Sequence, residues 1–176
     1  VLEAMVDRAS SLVGVVSVAD DGGSSGRIRR DLDIVAPGDM RRCLAALTPE
    51  GLMRDALEHR FEGGVLAGHP AGNVVLAAML ELEPDPVVVM DTLVEMVGAR
   101  GRVLPATSAA VDLVATTERG TVKGQVAISE SGAIRSLRFL PVDPDVPVAV
   151  SEAIVDADLI VLGPGSLYSS VLAPVV

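Results

Sequence analysis

The segment formed by residues 15–32 constrains the fold more than any other part of the chain; it reads VVSVADDGGSSGRIRRDL. A β-branched apolar run ends at two aspartates, glycines and serines follow, and a basic stretch with helical spacing comes next. A strand that passes through a glycine-serine turn into a helix directs free backbone N–H groups at an anion. The sequence therefore predicts an anion-binding turn, whose residues are Asp20, Asp21, Gly22, Gly23, Ser24, Ser25, Gly26 and Arg27.

This turn matches neither of the common nucleotide-binding patterns. The G-x-G-x-x-G fingerprint is absent, and no lysine follows the glycines as it does in a P-loop. Asp20 and Asp21 stand at the carboxyl end of the predicted strand, where carboxylates can hold a hydroxyl group or a divalent cation. The alternative is a tight turn whose aspartates and serines only cap the next helix.

A second segment of the same type lies near the end of the chain. Residues 158–162 (DLIVL) predict a fully buried strand, and a Gly-Pro-Gly-Ser turn separates it from a predicted helix. Two glycine-rich turns that follow strands favour a phosphorylated ligand held between them, whereas two unrelated turns are the alternative. The predicted ligand site therefore also includes Gly163, Pro164, Gly165, Ser166 and Ser169.

Charge and composition exclude several function classes. With 24 acidic against 14 basic residues and only 2% aromatic residues, the chain is unsuited to nucleic acid. One cysteine excludes an intramolecular disulfide and a multi-cysteine zinc site, and the sequence shows no signal peptide and no membrane span. We therefore expect a cytoplasmic protein.

A local positive field suited to a small anion is predicted around five arginines, unless they pair with neighbouring aspartates. They are Arg27, Arg29, Arg30, Arg41 and Arg42.

Hydrophobic periodicity predicts helices and strands that alternate at the two ends of the chain. The predicted helices are 2–12, 40–47 with Asp39 as N-cap, 51–59, 74–82, 85 or 86 to 97, and 148–157. The predicted strands are 13–19, 103–105, 112–115, 122–128 and 134–140, the last two joined as a hairpin across 129–132. The pattern predicts one α/β domain with a Rossmann-like, doubly wound, mostly parallel sheet and an antiparallel β insertion over about 103–141. Because Val1 falls inside a predicted helix with no strand before it, we expect residues to be missing at both ends.

Six segments carry a resemblance to a known family. In order they are VADDGGSSGRIRRDL, PGDMRRCLAAL, GHPAGNVVLAAM, RVLPAT, KGQVAI and ADLIVLGPGSLYSSVL, and they extend from about residue 15 to residue 171. Together they resemble the CofD/YvcK family, and within it the YvcK-like branch, whose members are called gluconeogenesis factors. One departure is Arg42, where the family often has asparagine.

The resemblance implies a ligand at the carboxyl ends of the parallel strands. It implies a nucleotide-sugar or nucleotide diphosphate ligand, UDP-N-acetylglucosamine in particular, and a role in cell shape and gluconeogenic growth. The CofD branch implies the alternative, a phospholactyl transferase that uses a nucleotide-activated donor and magnesium, with Asp20 and Asp21 as the metal ligands. The family's ligand positions fall on Asp20, Asp21, residues 22–26, Asn73 and residues 163–166.

His69 and Asn73 are four residues apart and would share a helix face if a helix began near Pro70. We predict that both contact the ligand, Asn73 through an amide that offers a donor and an acceptor. The alternatives are that His69 caps the helix and Asn73 holds the neighbouring loop. No serine or cysteine stands at a recognisable spacing from a histidine, so we predict no catalytic residue, no required cofactor and a regulatory output.

Apolar residues crowd the predicted helices between residues 74 and 96, and the mean hydropathy of the chain is +0.48. A single domain of this size has a limited interior in which to bury them. We therefore expect the protein to form a homo-oligomer, most simply a dimer.

Overall fold

The computed structural model describes residues 1–163 and residue 165. Its helices are α1 (Leu2–Met5), α2 (Gly23–Leu32), α3 (Pro37–Leu47), α4 (Leu52–Glu58), α5 (Ala71–Leu82), α6 (Pro86–Val97), α7 (Gln125–Ser129) and α8 (Val148–Val155). Its strands are β1 (Val13–Val16), β2 (Arg102–Pro105), β3 (Asp112–Thr117), β4 (Gly120–Lys123) and β5 (Ile134–Leu140). A single turn of 3-10 helix, Gly64–Leu66, precedes α5.

Two sheets form the β structure of the described residues. Strands β1 and β2 pair in parallel, with Val13 opposite Arg102 and Val16 opposite Pro105. Strands β4, β3 and β5 form an antiparallel sheet in that order. The predicted mixed α/β class, with a parallel sheet and a separate antiparallel one, is thus confirmed. Because β2 belongs to the parallel sheet, the antiparallel part begins at β3 rather than at residue 103.

Helices α3 and α6 pack on the parallel sheet and enclose the core. Met40 and Leu44 of α3, Met90 of α6 and Leu104 of β2 are fully buried. Each such side chain stabilises the fold by about 1.5–3 kcal/mol through loss of apolar surface to water. Because its buried side chains anchor α3 on the parallel sheet, the polar first turn of the same helix is also held in place relative to that sheet.

Helix α6 shows how closely local sequence can determine an element. Pro86 occupies the first turn, and the Asp85 side chain accepts a hydrogen bond of 2.9 Å from the Val87 N–H. Gly98 ends the helix in the left-handed conformation, with φ 63°. Both ends match the prediction because capping depends on neighbouring residues alone.

The predicted hairpin across residues 129–132 is wrong. Strand β4 ends at Lys123, Gly124 follows with φ 99°, and residues 125–129 form α7 instead of continuing the strand. The Asp21 carboxylate accepts a hydrogen bond of 3.0 Å from the Val126 N–H at the start of α7. A contact that spans 105 residues therefore stabilises this helix, and β5 pairs with β3.

Three further local predictions differ from the structure. Helix α1 ends at Met5 rather than at residue 12, and Asp39 lies in the first turn of α3 instead of at its N-cap, because Pro37 already begins the helix. Residues 158–162 form no strand, and Leu159 to Leu162 are exposed. A buried parallel strand needs a hydrogen-bonded neighbour, and within the described residues this segment pairs with neither β1 nor β2.

Across the part of the chain that the structure describes, no helix has both the length and the apolar character needed to cross a bilayer.

Candidate functional site

The glycine-serine segment forms the first turn of α2 rather than a loop before it. Gly22 is the N-cap, in extended conformation, and its N–H donates a 2.9 Å hydrogen bond to Asp20 Oδ1. Gly26 lies against the preceding backbone so closely that a Cβ there would be 1.9 Å from the Asp21 carbonyl oxygen. The small residues therefore let the chain turn tightly from the sheet into the helix.

The starts of three helices surround one cavity of about 270 Å³. Helices α2, α3 and α5 pack against one another, so their N-terminal turns lie side by side. Free N–H groups and aligned peptide dipoles give each helix start a partial positive charge. The cavity is lined by Gly23, Ser24 and Ser25 of α2, Gly38, Asp39, Arg41 and Arg42 of α3, Pro70 and Asn73 at the start of α5, and Asp20, Gly22, Arg60 and Gln125.

Three arginines give the cavity cationic walls. Arg41 is only 6% exposed, and burial lowers its pKa, the neighbouring Arg42 contributing to the same effect. Its aliphatic stem lies along α5 at Gly72, where a Cβ would be 2.7 Å from Arg41 Cγ. Arg42 and Arg60 are exposed. Arg60 is held by the segment before α5, because its backbone pairs with Pro70 and its guanidinium donates to the Gly68 carbonyl.

Two carboxylates, Asp20 and Asp39, face the same cavity. Burial and the charge of Asp20 raise the pKa of Asp39, although Arg42 opposes this with an ion pair of 2.9 Å. Asp39 was not identified as a site residue from the sequence, because its position after Pro-Gly suggested a capping role. The cavity therefore contains two kinds of groups. The helix starts and guanidinium groups suit a phosphate, and the carboxylates suit a hydroxyl group or a hard cation.

A chain of side-chain hydrogen bonds forms one wall of the cavity. The Arg41 Nε–H donates to Asn73 Oδ1 at 3.2 Å, and Asn73 Nδ2 donates to Ser24 Oγ at 3.1 Å. Ser24 Oγ in turn lies 2.8 Å from His69 Nδ1. The structure thus brings together Ser24, Asn73 and His69 as one polar network, although His69 itself lies outside the cavity lining.

Several residues predicted for the site lie elsewhere. Asp21 faces α7, where its carboxylate accepts from Val126 N–H and its Oδ2 would be 2.1 Å from a Cβ on Gly124. The Arg27 guanidinium lies near the Ala67 carbonyl at 3.5 Å, and Gly26 packs on backbone. The cavity lining does not include Gly163 or Gly165, and Pro164, Ser166 and Ser169 lie outside the described residues.

The arrangement also shows what sequence reasoning missed. Arg60 and Gln125 carry no local signal, because each reaches the cavity only through the folding of a distant segment. Among residues 1–163 and 165, no group of three or more histidine, cysteine, aspartate or glutamate side chains could hold a metal ion. Of the described residues that line this cavity, Asp20 and Asp39 are the two that could supply carboxylate ligands.

A family model and individual proteins of known sequence both match this chain. The family model described as 2-phospho-L-lactate transferase CofD matches residues 1–176. A Mycobacterium tuberculosis protein is 46% identical over 175 residues, covering 92% of this chain and 51% of that protein. The gluconeogenesis factor of Bacillus subtilis is 42% identical over 175 residues, covering 97% of this chain and 55% of the relative.

A crystal structure of a related protein has the same fold as this chain. A Bacillus halodurans protein superposes with a TM-score of 0.94 at 40% identity, covering 99% of this chain and 57% of that one. The chain therefore spans about half the length of the curated relatives that it matches.

Proposed function

Since this chain belongs to the CofD family, and to the part of it that contains the gluconeogenesis factors, we propose that it binds a nucleotide sugar in the cavity between α2, α3 and α5. The ligand class is UDP-N-acetylglucosamine or a close analogue. The output is regulatory: binding reports nucleotide-sugar supply and adjusts gluconeogenic growth and cell shape. The proposed setting is the cytoplasm.

The convergence of three helix starts with Arg41, Arg42 and Arg60 is the observation that carries this proposal. A diphosphate carries about two negative charges at neutral pH, and it can accept hydrogen bonds from helix N–H groups and guanidinium groups at once. Asp20 and Asn73 line the same cavity and can bind sugar hydroxyl groups or a base edge. The local positive field is needed because the chain as a whole carries a net charge of −10.

Calorimetric titration with UDP-N-acetylglucosamine, UDP-glucose and GDP tests the proposal. We expect one UDP-sugar to bind, and we expect Arg42→Met and Arg60→Met each to weaken it by about tenfold, the loss of one charge-assisted hydrogen bond. Arg100→Met is the matched control, since Arg100 is exposed and pairs at 2.6 Å with Asp7, outside the cavity. Indifference to every UDP-sugar would contradict the proposal.

The pairing of Asp20 and Asp39 supports a second candidate, a phospholactyl transferase of the CofD type. Carboxylate oxygens suit magnesium, and both carboxylates line the same cavity, where burial and then the charge of Asp20 raise the pKa of Asp39. Magnesium bound there would neutralise charge on a departing nucleotide phosphate. This assigns the metal to Asp20 and Asp39 rather than to Asp20 and Asp21, because the Asp21 carboxylate is engaged by α7.

The two candidates differ in their dependence on magnesium. For a transferase, we expect Asp39→Asn to abolish magnesium-dependent ligand binding and the transfer product seen by mass spectrometry. Asp21→Asn is the matched control, since it removes a charge from the same region outside the cavity. If binding is independent of magnesium and no product forms with a deazaflavin acceptor, the enzyme hypothesis fails.

A further inference from the structure

The hydrogen bonds among Arg41, Asn73 and Ser24 have a fixed direction. An arginine side chain can only donate, so the Asn73 atom at 3.2 Å from Arg41 Nε must be the oxygen. The amide nitrogen of Asn73 therefore faces Ser24, and Ser24 Oγ accepts its hydrogen bond at 3.1 Å. Arg41 and Asn73 are both buried, which limits the access of water to these groups.

The direction of these bonds leaves the Ser24 hydroxyl proton available to His69. With Oγ accepting from Asn73, the Ser24 hydroxyl proton is free to donate to His69 Nδ1 at 2.8 Å. A bond donated in this direction requires an unprotonated Nδ1, which corresponds to a neutral His69 that carries its proton on Nε2. In this state Ser24 uses its proton on His69 and offers none to the cavity that it lines.

Protonation of His69 reverses this bond. The Nδ1–H of the imidazolium then donates to Ser24 Oγ, which accepts two hydrogen bonds and must turn its own proton away from both partners. The cavity is the open direction, because Ser24 lines it at the first turn of α2. We propose that His69 controls Ser24 as a positioning residue, so that binding of an anion in the cavity is coupled to uptake of one proton by His69. This coupling concerns the ligand site of the proposed function.

The charges around His69 favour the neutral state when no ligand is bound. Burial lowers the pKa of His69, the positive charges of Arg27 and Arg60 lower it further, and Asp31 opposes them. The negative charge of a bound phosphate or sulfate would offset the two arginines, and the released Ser24 O–H would donate to it. The charge of the bound anion and the hydrogen bond from Ser24 therefore both favour protonation of His69 when the anion binds.

Nuclear magnetic resonance of ¹⁵N-labelled histidine tests the first half of the coupling. At pH 8, without ligand, we expect the His69 signals of a neutral ring protonated on Nε2. His69→Asn assigns the signals, and His59 serves as an internal reference, since it is exposed and its ring packs edge-on against the Phe61 ring. Observation of the Nδ1-protonated form would overturn the proposal.

Ligand titrations at pH 6 and pH 8 test the second half, with UDP-N-acetylglucosamine and inorganic sulfate as probes because neither changes charge in this range. We expect each probe that binds to bind about fivefold or more tightly at pH 6, with proton uptake measured in two buffers of different ionisation enthalpy. His69→Asn should remove this pH dependence, His59→Asn should keep it, and Ser24→Ala should remove most of it.

The two probes separate this coupling from the proposed function. Sulfate binding with proton uptake, without UDP-sugar binding, would support the coupling and contradict the nucleotide-sugar proposal. Binding of either probe with no proton uptake would overturn the coupling alone. Full proton uptake in Ser24→Ala would overturn the role of the hydroxyl, and failure of both probes to bind would overturn both proposals.

Discussion

Gly38 lies so close to Ser25 that a Cβ atom on Gly38 would be 2.1 Å from Ser25 Oγ. The same atom would be 3.0 Å from Asp20 Oδ2. This close approach joins the first turns of α2 and α3, both of which line the cavity. A side chain at position 38 would have to displace the Ser25 hydroxyl group or push the two helix starts apart.

Gly38→Ala should therefore destabilise the protein and widen the cavity. We expect the free energy of unfolding to fall by about 1–3 kcal/mol, the range for overpacking at a buried position. Chemical denaturation measures it. Gly63→Ala is the control, because a Cβ at position 63 would meet nothing within 4 Å and its φ of −143° suits alanine. Equal effects of the two substitutions would contradict the packing argument.

Asp112 connects α2 to the antiparallel sheet through two ion pairs, to Arg29 at 2.9 Å and Lys123 at 2.8 Å. Burial alone would raise its pKa, but the hydrogen bond from Lys123 and the charge of Arg29 outweigh burial, and the pKa lies below its ordinary value of 3.8. Such a carboxylate stabilises the fold above its unfolded pKa, and the contribution disappears as the pH falls through the folded pKa.

We expect Asp112→Asn to lower the free energy of unfolding by about 1–2 kcal/mol at pH 7. The difference from the unsubstituted protein should shrink below pH 3.8, the ordinary value from which the folded pKa is lowered. Glu118→Gln removes an exposed ion pair on the same sheet, with Arg135 at 3.3 Å, and should change stability by about 0.5 kcal/mol or less. An undiminished difference for Asp112→Asn at low pH would exclude the ion pairs as its cause.

Cys43 should be a poor nucleophile. Burial on the inner side of α3, with the charge of Asp39, raises the pKa of its thiol to about 11. At pH 8 only about one molecule in a thousand then carries the thiolate. We expect a disulfide reagent to modify the folded protein about a hundredfold more slowly than the protein in urea. Comparable rates would show that the thiol is accessible and ionised.

Self-association of the protein stays a prediction. Helices α5 and α6 leave several apolar side chains in solvent, among them Leu82, which is 87% exposed, and Met96, which is 66% exposed. We expect light scattering to give a dimer mass at micromolar concentration, and Leu82→Lys to shift the mass toward the monomer. Glu81→Lys, at the neighbouring exposed position, controls for added charge. A monomer mass for the unsubstituted protein would contradict the prediction.

The local sequence was sufficient to predict a helix or a turn wherever the residues that form its caps and contacts are neighbours along the chain. The cap of Asp85 on Val87, the first-turn proline and Gly98 fix α6 within a few residues, and its bounds were predicted correctly. The passage from β1 through a turn into a helix was predicted for the same reason, because Gly22 bonds to Asp20 and Gly26 packs on Asp21, although α2 begins at Gly23, inside the predicted turn. The mixed α/β class followed from the order of such elements.

Tertiary structure alone decided the composition of the cavity. Asp21 and Asp20 are adjacent in sequence, yet Asp20 faces the cavity while Asp21 holds the start of α7, 105 residues away. Segment 122–128 has the alternation of a strand, but Gly124 and that distant carboxylate make its second half a helix. His69 and Ser24 meet across 45 residues, and Arg60 reaches the cavity through the pairing of its backbone with Pro70. Capping and turns depend on short-range backbone geometry that the sequence carries directly. The contacts of the cavity exist only because packing of α3 on the sheet, and of α5 on α2 and α3, brings distant polar groups together.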